Sequence, residues 1–157
     1  MKINIGKYPK TKPQKVVVEI ERHDTWNMGH TLALIIYPML LKLKEEKQGI
    51  PSEFADAGGE DYVDQKSFDF YEDSHKWAFD EKVKQWDVVL DKMIWSFEQK
   101  LKDDDENEFF DHSVSKGMPW DKDYVGPKYD KEGHDKWQER KSNGFRLFGK
   151  YYEGLWD

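Results

Sequence analysis

The strongest constraint on the fold is a single apolar stripe within residues 74–102. Apolar side chains recur there at steps of three and four residues, which places them on one face of a helix at about 100° per residue. Ser74 is a helix-capping type, and the acidic run that begins at Asp103 disfavours continuation of the helix. We therefore predict a long helix over 74–102 that buries one face. The stripe consists of Phe79, Val83, Trp86, Leu90, Met93, Phe97 and Leu101.

A second segment, residues 32–43, is apolar on nearly every side rather than along one stripe. A helix with that pattern is normally the central, buried one. Asp24 is an N-cap type and a Gly-Ile-Pro sequence follows the segment, so we predict a helix over 24–48. Pro38 lies inside it and removes a backbone hydrogen bond, which predicts a kink or a break at that point.

A third helix is predicted over residues 130–156, with Asp130 as its cap. Gly144 lies in the apolar face of this helix and would let a neighbouring backbone approach closely; the alternative is a break at Asn143-Gly144. At the other end of the chain, residues 1–22 contain two short β-branched runs, which predict a β-arm or hairpin.

The remaining segments, residues 50–73 and 103–129, show no periodicity and are predicted to be long loops. The fold class is therefore mainly α, a single domain over 1–157 with a three-helix core, a kinked buried helix, a short N-terminal β-arm and long acidic loops. Four aromatic residues are expected to hold the second loop to the body, namely Phe109, Phe110, Trp120 and Tyr124.

The negative charge of the chain is concentrated in these loops. The formal net charge is -7, and residues 50–74 alone hold eight acids against Lys66. Residues 103–112 hold six acids and no base. Loops of this charge are usually only solvated, and the alternative is an acidic patch that docks on a basic protein surface.

Composition excludes several classes of function. The chain has no Cys, which excludes disulfides, thiolate catalysis and Cys-ligated zinc. No apolar run approaches the roughly 20 residues of a membrane span, so we expect no membrane partner. Net acidity disfavours general nucleic-acid binding but leaves a small nucleotide open. No Gly-rich phosphate loop, Gly-x-Ser-x-Gly elbow or His-Glu-x-x-His motif is present, which favours a non-enzymatic role without an assigned cofactor or metal.

One candidate site lies at the predicted strand-to-helix turn. His30 could act there as a metal ligand, a general base or a ligand-contacting donor beside Asp24. Trp26 is four residues before His30 and hence its neighbour on a helix. The alternative is that Asp24 only caps the helix and that His30 is a hydrogen-bonded, half-buried residue.

Two further clusters lie on the other helices. Asp91 belongs to a row of acids that borders the apolar stripe, together with Asp80, Asp87 and Glu98. These acids could bind a cation, but we favour ion pairing, for instance with Arg140, Arg146 or Lys150. Arg146 and Lys150 alternate with aromatic residues, a pattern that can stack bases and hold phosphates. The favoured alternative is a packing helix whose basic side chains lie over apolar surface.

These residues resemble a recurrent segment of uncharacterised proteins that are encoded by tailed bacteriophages. The resemblance rests mainly on the run Asp24-Thr25-Trp26-Asn27-Met28-Gly29-His30-Thr31-Leu32-Ala33. Further similarity lies in Pro38-Met39-Leu40, Gly49-Ile50-Pro51, Leu90-Asp91-Lys92-Met93-Ile94, Asn143-Gly144 and Leu147-Phe148-Gly149-Lys150-Tyr151. The resemblance implies a phage setting, and it gives Asp24, His30 and Asp91 more weight than their spacing alone.

The leading hypothesis is a non-enzymatic phage accessory protein in the host cytoplasm. It would bind and inhibit, or sequester, a host protein or a small nucleotide-type ligand. Two alternatives stay open, a metal-dependent hydrolase that uses His30, Asp24 and Asp91, and a virion or assembly component. A homo-oligomer is also left open. The candidate ligand-binding residues are Asp24, Trp26, His30, Asp91, Arg146 and Lys150.

Overall fold

The computed structural model confirms a mainly helical fold with an N-terminal hairpin. It describes residues 1–7, 12–52, 54, 74–102 and 105–156. These ranges contain three α-helices, α1 (Met28–Glu46), α2 (Ser74–Leu101) and α3 (Lys131–Lys150). Most of the first acidic loop, the predicted segment 50–73, lies outside the described residues. Among the described residues, no helix combines the length and the apolar character that a membrane span requires.

The long helix α2 lies at the centre and packs against both α1 and α3. Its apolar stripe forms most of the core, as the periodicity predicts. Trp86 packs in a cluster of three rings: its centroid lies 5.2 Å from that of Phe54 and 5.3 Å from that of Tyr151, and those two lie 5.7 Å from each other. The buried apolar residues of α2 are Trp86, Val89, Leu90, Met93, Ile94 and Phe97.

The prediction that residues 32–43 form the central buried helix is wrong. Only Ala33 and Leu40 of α1 are buried, whereas Leu34 and Met39 are 56% and 62% exposed. An apolar pattern on all sides indicates what a helix can bury, but α1 has α2 as its only substantial helical neighbour among the described residues. The helix is not broken at Pro38, which lies within its continuous span. A kink there stays a prediction.

The start of α1 also differs from the prediction. Asn27, not Asp24, is the N-cap, and its side-chain oxygen accepts a hydrogen bond from the His30 amide. Asp24 instead belongs to a short 3-10 helix, Arg22–Thr25.

Helix α3 begins as predicted and ends earlier. Asp130 caps it, accepting a hydrogen bond from the Gly133 amide at 3.0 Å. The helix runs without interruption through Asn143 and Gly144, so the alternative of a break there is wrong. The predicted close approach is confirmed, because a Cβ at Gly144 would overlap the side chain of Ser96 on α2.

The hairpin consists of strands β1 (Lys2–Ile5) and β2 (Val16–Glu19), which pair antiparallel with Ile3 opposite Val18. Residues 105–129 are more ordered than the predicted loop. They contain 3-10 helices at Asp105–Phe109 and His112–Val114, and strands β3 (Phe110–Asp111) and β4 (Lys128–Tyr129) that pair with each other.

Aromatic packing explains part of this order. The rings of Phe110 and Tyr129 stack at 4.9 Å, and Phe109 lies 5.7 Å from Trp137 of α3. Trp120 does not hold the segment to the body, since it is 78% exposed.

Two acids of the row on α2, Asp87 and Asp91, form ion pairs with lysines at the end of α1. Lys47 lies 2.6 Å from Asp87, and Lys44 lies 2.6 Å from Asp91. The antiparallel packing of α1 on α2 brings the end of α1 beside the middle of α2, which explains why these lysines are the partners.

Candidate functional site

A polar pocket of about 420 Å³ lies where the start of α1 meets the end of α2. Its other walls come from the 3-10 helix Asp105–Phe109, from β3 and from the first half of α3. We call it the basic pocket. Its principal lining residues are Asn27, His30, Lys100, Lys102, Phe110 and Trp137.

The wall formed by α1 and α2 is tied together by His30. The Nδ1 atom of His30 lies 3.3 Å from the carbonyl oxygen of Lys100. Because a carbonyl only accepts, Nδ1 carries the hydrogen in this contact, and Nε2 is left to accept or, when protonated, to donate. A Cβ at position 29 would lie 3.1 Å from Lys100 Cε, so Gly29 leaves room for the lysine side chain to cross the first turn of α1.

The opposite wall is aromatic. Trp137 Nε1 donates a hydrogen bond to Gln99 Oε1 at 3.2 Å, which fixes the indole against α2. Lys141 Nζ lies 3.5 Å from the centroid of the same ring. Phe110 is 37% exposed and adds a second ring to this wall.

Positive charge dominates the pocket although the chain as a whole is acidic. Among the described lining residues, Lys100, Lys102 and Lys141 stand against one acid, Glu106. Asn27 caps the N-terminus of α1, which adds the positive end of a helix dipole. The arrangement can therefore attract an anion and place a planar group beside an aromatic ring.

Of the six sequence-predicted ligand-binding residues, the structure places His30 in the basic pocket. Asp24 is engaged elsewhere, accepting hydrogen bonds from the Met1 ammonium at 2.8 Å and from the Glu21 amide at 2.7 Å. Both contacts hold the pKa of Asp24 below its ordinary value of 3.8, the ammonium more strongly. Trp26 is 71% exposed and its ring lies 4.4 Å from that of His23.

The other three predicted residues lie away from the pocket. Asp91 is paired with Lys44 and lies nine residues before Lys100 on α2. That spacing is about 13 Å along a helix axis, so Asp91 does not meet His30. Arg146 donates to Asn143 Oδ1 from Nε at 3.3 Å and from Nη2 at 3.1 Å. Lys150 Nζ lies 5.2 Å from the ring centroid of Tyr151.

The metal-dependent hydrolase hypothesis requires several metal-ligating side chains to lie close together. Within the described ranges, no three His, Asp or Glu side chains are grouped as a metal site would require. The hydrolase hypothesis therefore stays a prediction, with Asp91 separated from His30.

The cations and rings of the basic pocket were missed at the sequence level. Lys100 and Lys102 stand at the end of a helix, where lysines are common because they offset the helix dipole. Trp137 and Lys141 are a helical i, i+4 pair whose spacing is equally typical of a solvated helix face. The packing of α3 on α2 brings the two sets together.

Comparison with protein-family models, with curated proteins and with solved structures found no significant match to this chain. The class of protein is thus defined by its own geometry. Its described residues form three α-helices, a β-hairpin and a basic, aromatic-walled pocket.

Proposed function

We propose that this chain is a phage accessory protein that binds a small nucleotide-type ligand in the basic pocket and sequesters it without catalysing a reaction. One observation carries the proposal, the convergence of Lys100 and Lys102 with the rings of Phe110 and Trp137 around about 420 Å³. That volume is within the range of small-molecule sites. A nucleotide combines the two features that this lining complements, an anionic phosphate and a planar base.

The two ends of the ligand would have different partners. The phosphates would lie at Lys100 and Lys102, next to the positive end of α1, where charge-assisted hydrogen bonds are strongest. The base would stack on Phe110, whose other face is covered by Tyr129. Because the Phe110 ring is already held in place, stacking a base on it loses little conformational entropy. Such stacking also tolerates different bases.

The phage setting and the host cytoplasm rest on the resemblance of residues 24–33. His30 belongs to that run and also lines the basic pocket. The resemblance and the pocket therefore share two side chains, that of Asn27 and that of His30. The Nε2 atom of His30, left over from the contact with Lys100, is suited to a phosphate oxygen when the ring is protonated.

Calorimetric titration of the full chain tests the proposal. The ligands are nucleoside mono-, di- and triphosphates, with the matching nucleosides and inorganic triphosphate as separate arms. We expect binding that strengthens with phosphate number and needs the base. Lys100→Gln should weaken binding about tenfold, which corresponds to the loss of one charge-assisted contact of roughly 1.4 kcal/mol.

A matched variant separates the pocket from the general charge of the chain. Lys122→Gln removes the same charge from an exposed turn outside the basic pocket and should leave affinity unchanged. Phe110→Ala should lower the affinity for nucleotides more than the affinity for inorganic triphosphate. The proposal is wrong if no nucleotide binds, or if Lys100→Gln and Lys122→Gln behave alike. Conversion of the nucleotide during the titration would instead indicate an enzyme.

A further inference from the structure

One face of the N-terminal hairpin is apolar and is not covered by the part of the chain that the structure describes. Residues that pair across antiparallel strands point to the same side, so Ile3 and Val18 share a face, as do Ile5 and Val16. Ile20 follows Val18 by two residues and joins them. These five side chains are between 37% and 57% exposed. We call this surface the arm face.

An isolated two-stranded hairpin is marginally stable in water and needs a hydrophobic cover. Among the described elements, the substantial contacts of β1 and β2 are with each other. The opposite face of the hairpin carries Lys2, Asn4, Val17 and Glu19, so it is the more polar of the two faces. The apolar side of the hairpin is therefore built to lie on another surface.

A second exposed apolar surface of the described residues runs between α1 and the end of α3 together with the residues that follow it. Both helices pack on α2, and the space between them is a groove of about 780 Å³. Its most exposed apolar residues are Met39 at 62%, Tyr152 at 65% and Trp156 at 68%. The groove is also lined by Leu32, Ile36 and Phe148.

The sequence of α1 suits a helix that is covered on this side as well. Residues 32–43 have the all-round apolar pattern of a central helix, yet α1 is peripheral in the single chain. Leu32, Ile36, Met39 and Leu43 lie at the spacing of one helical face, and all four line the groove. A second layer over the groove would make α1 central.

We propose that two copies of this chain form a dimer in which the arm face of each copy lies in the apolar groove of the other. The length of the groove agrees with the length of the arm face. The groove follows α1 from Leu32 to Leu43, about 16 Å at the rise of a helix. The arm face extends from Ile20 to Val16, about 14 Å at the rise of a strand.

The occupant is a second copy because one chain carries both surfaces. The arm face is exposed in the single chain, so it does not fill its own groove. Reciprocal exchange between two copies uses each surface once and closes with twofold symmetry.

The area that such a dimer buries can be estimated. Covering five half-exposed aliphatic side chains and an equal area of groove would remove about 500 Å² per copy. The total of about 1,000 Å² is near the lower limit for a specific interface. The dimer should therefore be concentration-dependent rather than obligate.

Sedimentation equilibrium of the full chain over a concentration series tests this. We expect a monomer–dimer equilibrium that Val18→Lys on the arm face and Met39→Lys in the groove each shift towards monomer. Both side chains are more than half exposed, so the variants should keep the far-ultraviolet circular dichroism of the parent chain. Val88→Lys is the matched control, because Val88 is 46% exposed on α2 and lies outside both surfaces.

Mixing the two variants distinguishes this arrangement from other dimers. The Val18→Lys chain keeps an intact groove, and the Met39→Lys chain keeps an intact arm face. In a heterodimer of the two variants, the intact arm face can therefore lie in the intact groove, which restores one of the two contacts. The mixture should therefore dimerise more strongly than either variant alone. A dimer through paired arms or paired grooves would show no such recovery.

Cross-linking gives an independent readout. Because the chain has no Cys, single cysteines introduced as Val18→Cys and Met39→Cys on separate chains report only on their own positions. We expect mixed cross-linked dimers for this pair and none for Val18→Cys with Val88→Cys. A chain that stays monomeric at every concentration, or sensitivity to only one of the two lysine variants, would overturn the proposal.

Discussion

Gly144 offers a sharp test of how α3 packs on α2. A Cβ at this position would overlap the Ser96 hydroxyl and the Lys92 carbonyl, and it would lie 2.7 Å from Ser96 Cβ. Ser96 is fully buried and its hydroxyl donates to the Lys92 carbonyl at 3.0 Å. Gly144→Ala therefore forces the two helices apart or displaces a buried hydrogen bond.

The expected cost follows from two opposing terms. Overpacking a buried site typically costs about 1–3 kcal/mol, whereas Gly→Ala within a helix contributes up to about 1 kcal/mol of stability. Here the clash involves a backbone carbonyl, which cannot swing aside, so the overpacking term wins. We expect Gly144→Ala to lower the free energy of unfolding by about 1–2 kcal/mol, and Tm by roughly 2–8 °C for a chain of this size.

The same helix supplies its own control. A Cβ at Gly149 would meet nothing within 4 Å, so Gly149→Ala should stabilise by up to about 0.5 kcal/mol. Both variants are measured by urea unfolding and by thermal melts, and Ser96→Ala should partly rescue Gly144→Ala. A Gly144→Ala protein as stable as the parent would refute the close approach of the two helices.

Three further predictions concern the core, an ion pair between α1 and α2, and the Asp24 carboxyl. Trp86→Ala should cost about 3–5 kcal/mol in urea unfolding, because the ring is 2% exposed and sits in the core; a loss below about 1 kcal/mol would contradict that placement. Lys47→Met should cost about 1 kcal/mol because it leaves Asp87 without its close cation, whereas Lys136→Met on the exposed face of α3 should cost almost nothing. The pKa of the Asp24 carboxyl, measured by NMR titration, should lie below 3.8. Its contribution to the free energy of unfolding is then complete above pH 3.8 and is lost as the pH falls through the lowered pKa. A midpoint at or above 3.8 would exclude the two hydrogen bonds that Asp24 accepts.

The helices were predictable because their signals are local. Period, caps and stop residues act within a few positions, so the apolar stripe of α2 and the Asp130 cap of α3 could be read directly. Gly144 is a similar case, since a glycine in an apolar face indicates close approach wherever the helix packs. The start of α1 was missed because Asp24 and Asn27 are both good caps and the chain alone does not choose between them.

The site was less predictable because it depends on which helix ends meet. His30 stood out as a histidine at a turn, but its partners, Lys100 and Trp137, come from two other helices. Asp91 looked like part of the same site until the antiparallel packing of α1 placed it beside Lys44. Long-range pairing of this kind leaves no mark on local sequence.

The sequence by itself thus determined that this protein is helical, that α2 buries one face, that a β-hairpin precedes α1, and that net negative charge is concentrated outside the helices. Only the tertiary structure decided that α2 rather than α1 is central, that cations gather in a pocket of an acidic chain, and that an apolar groove stays open beside an uncovered arm. The physical reason is that periodicity reports what one segment can bury. Which surfaces are covered depends on the partners that the whole fold brings to them.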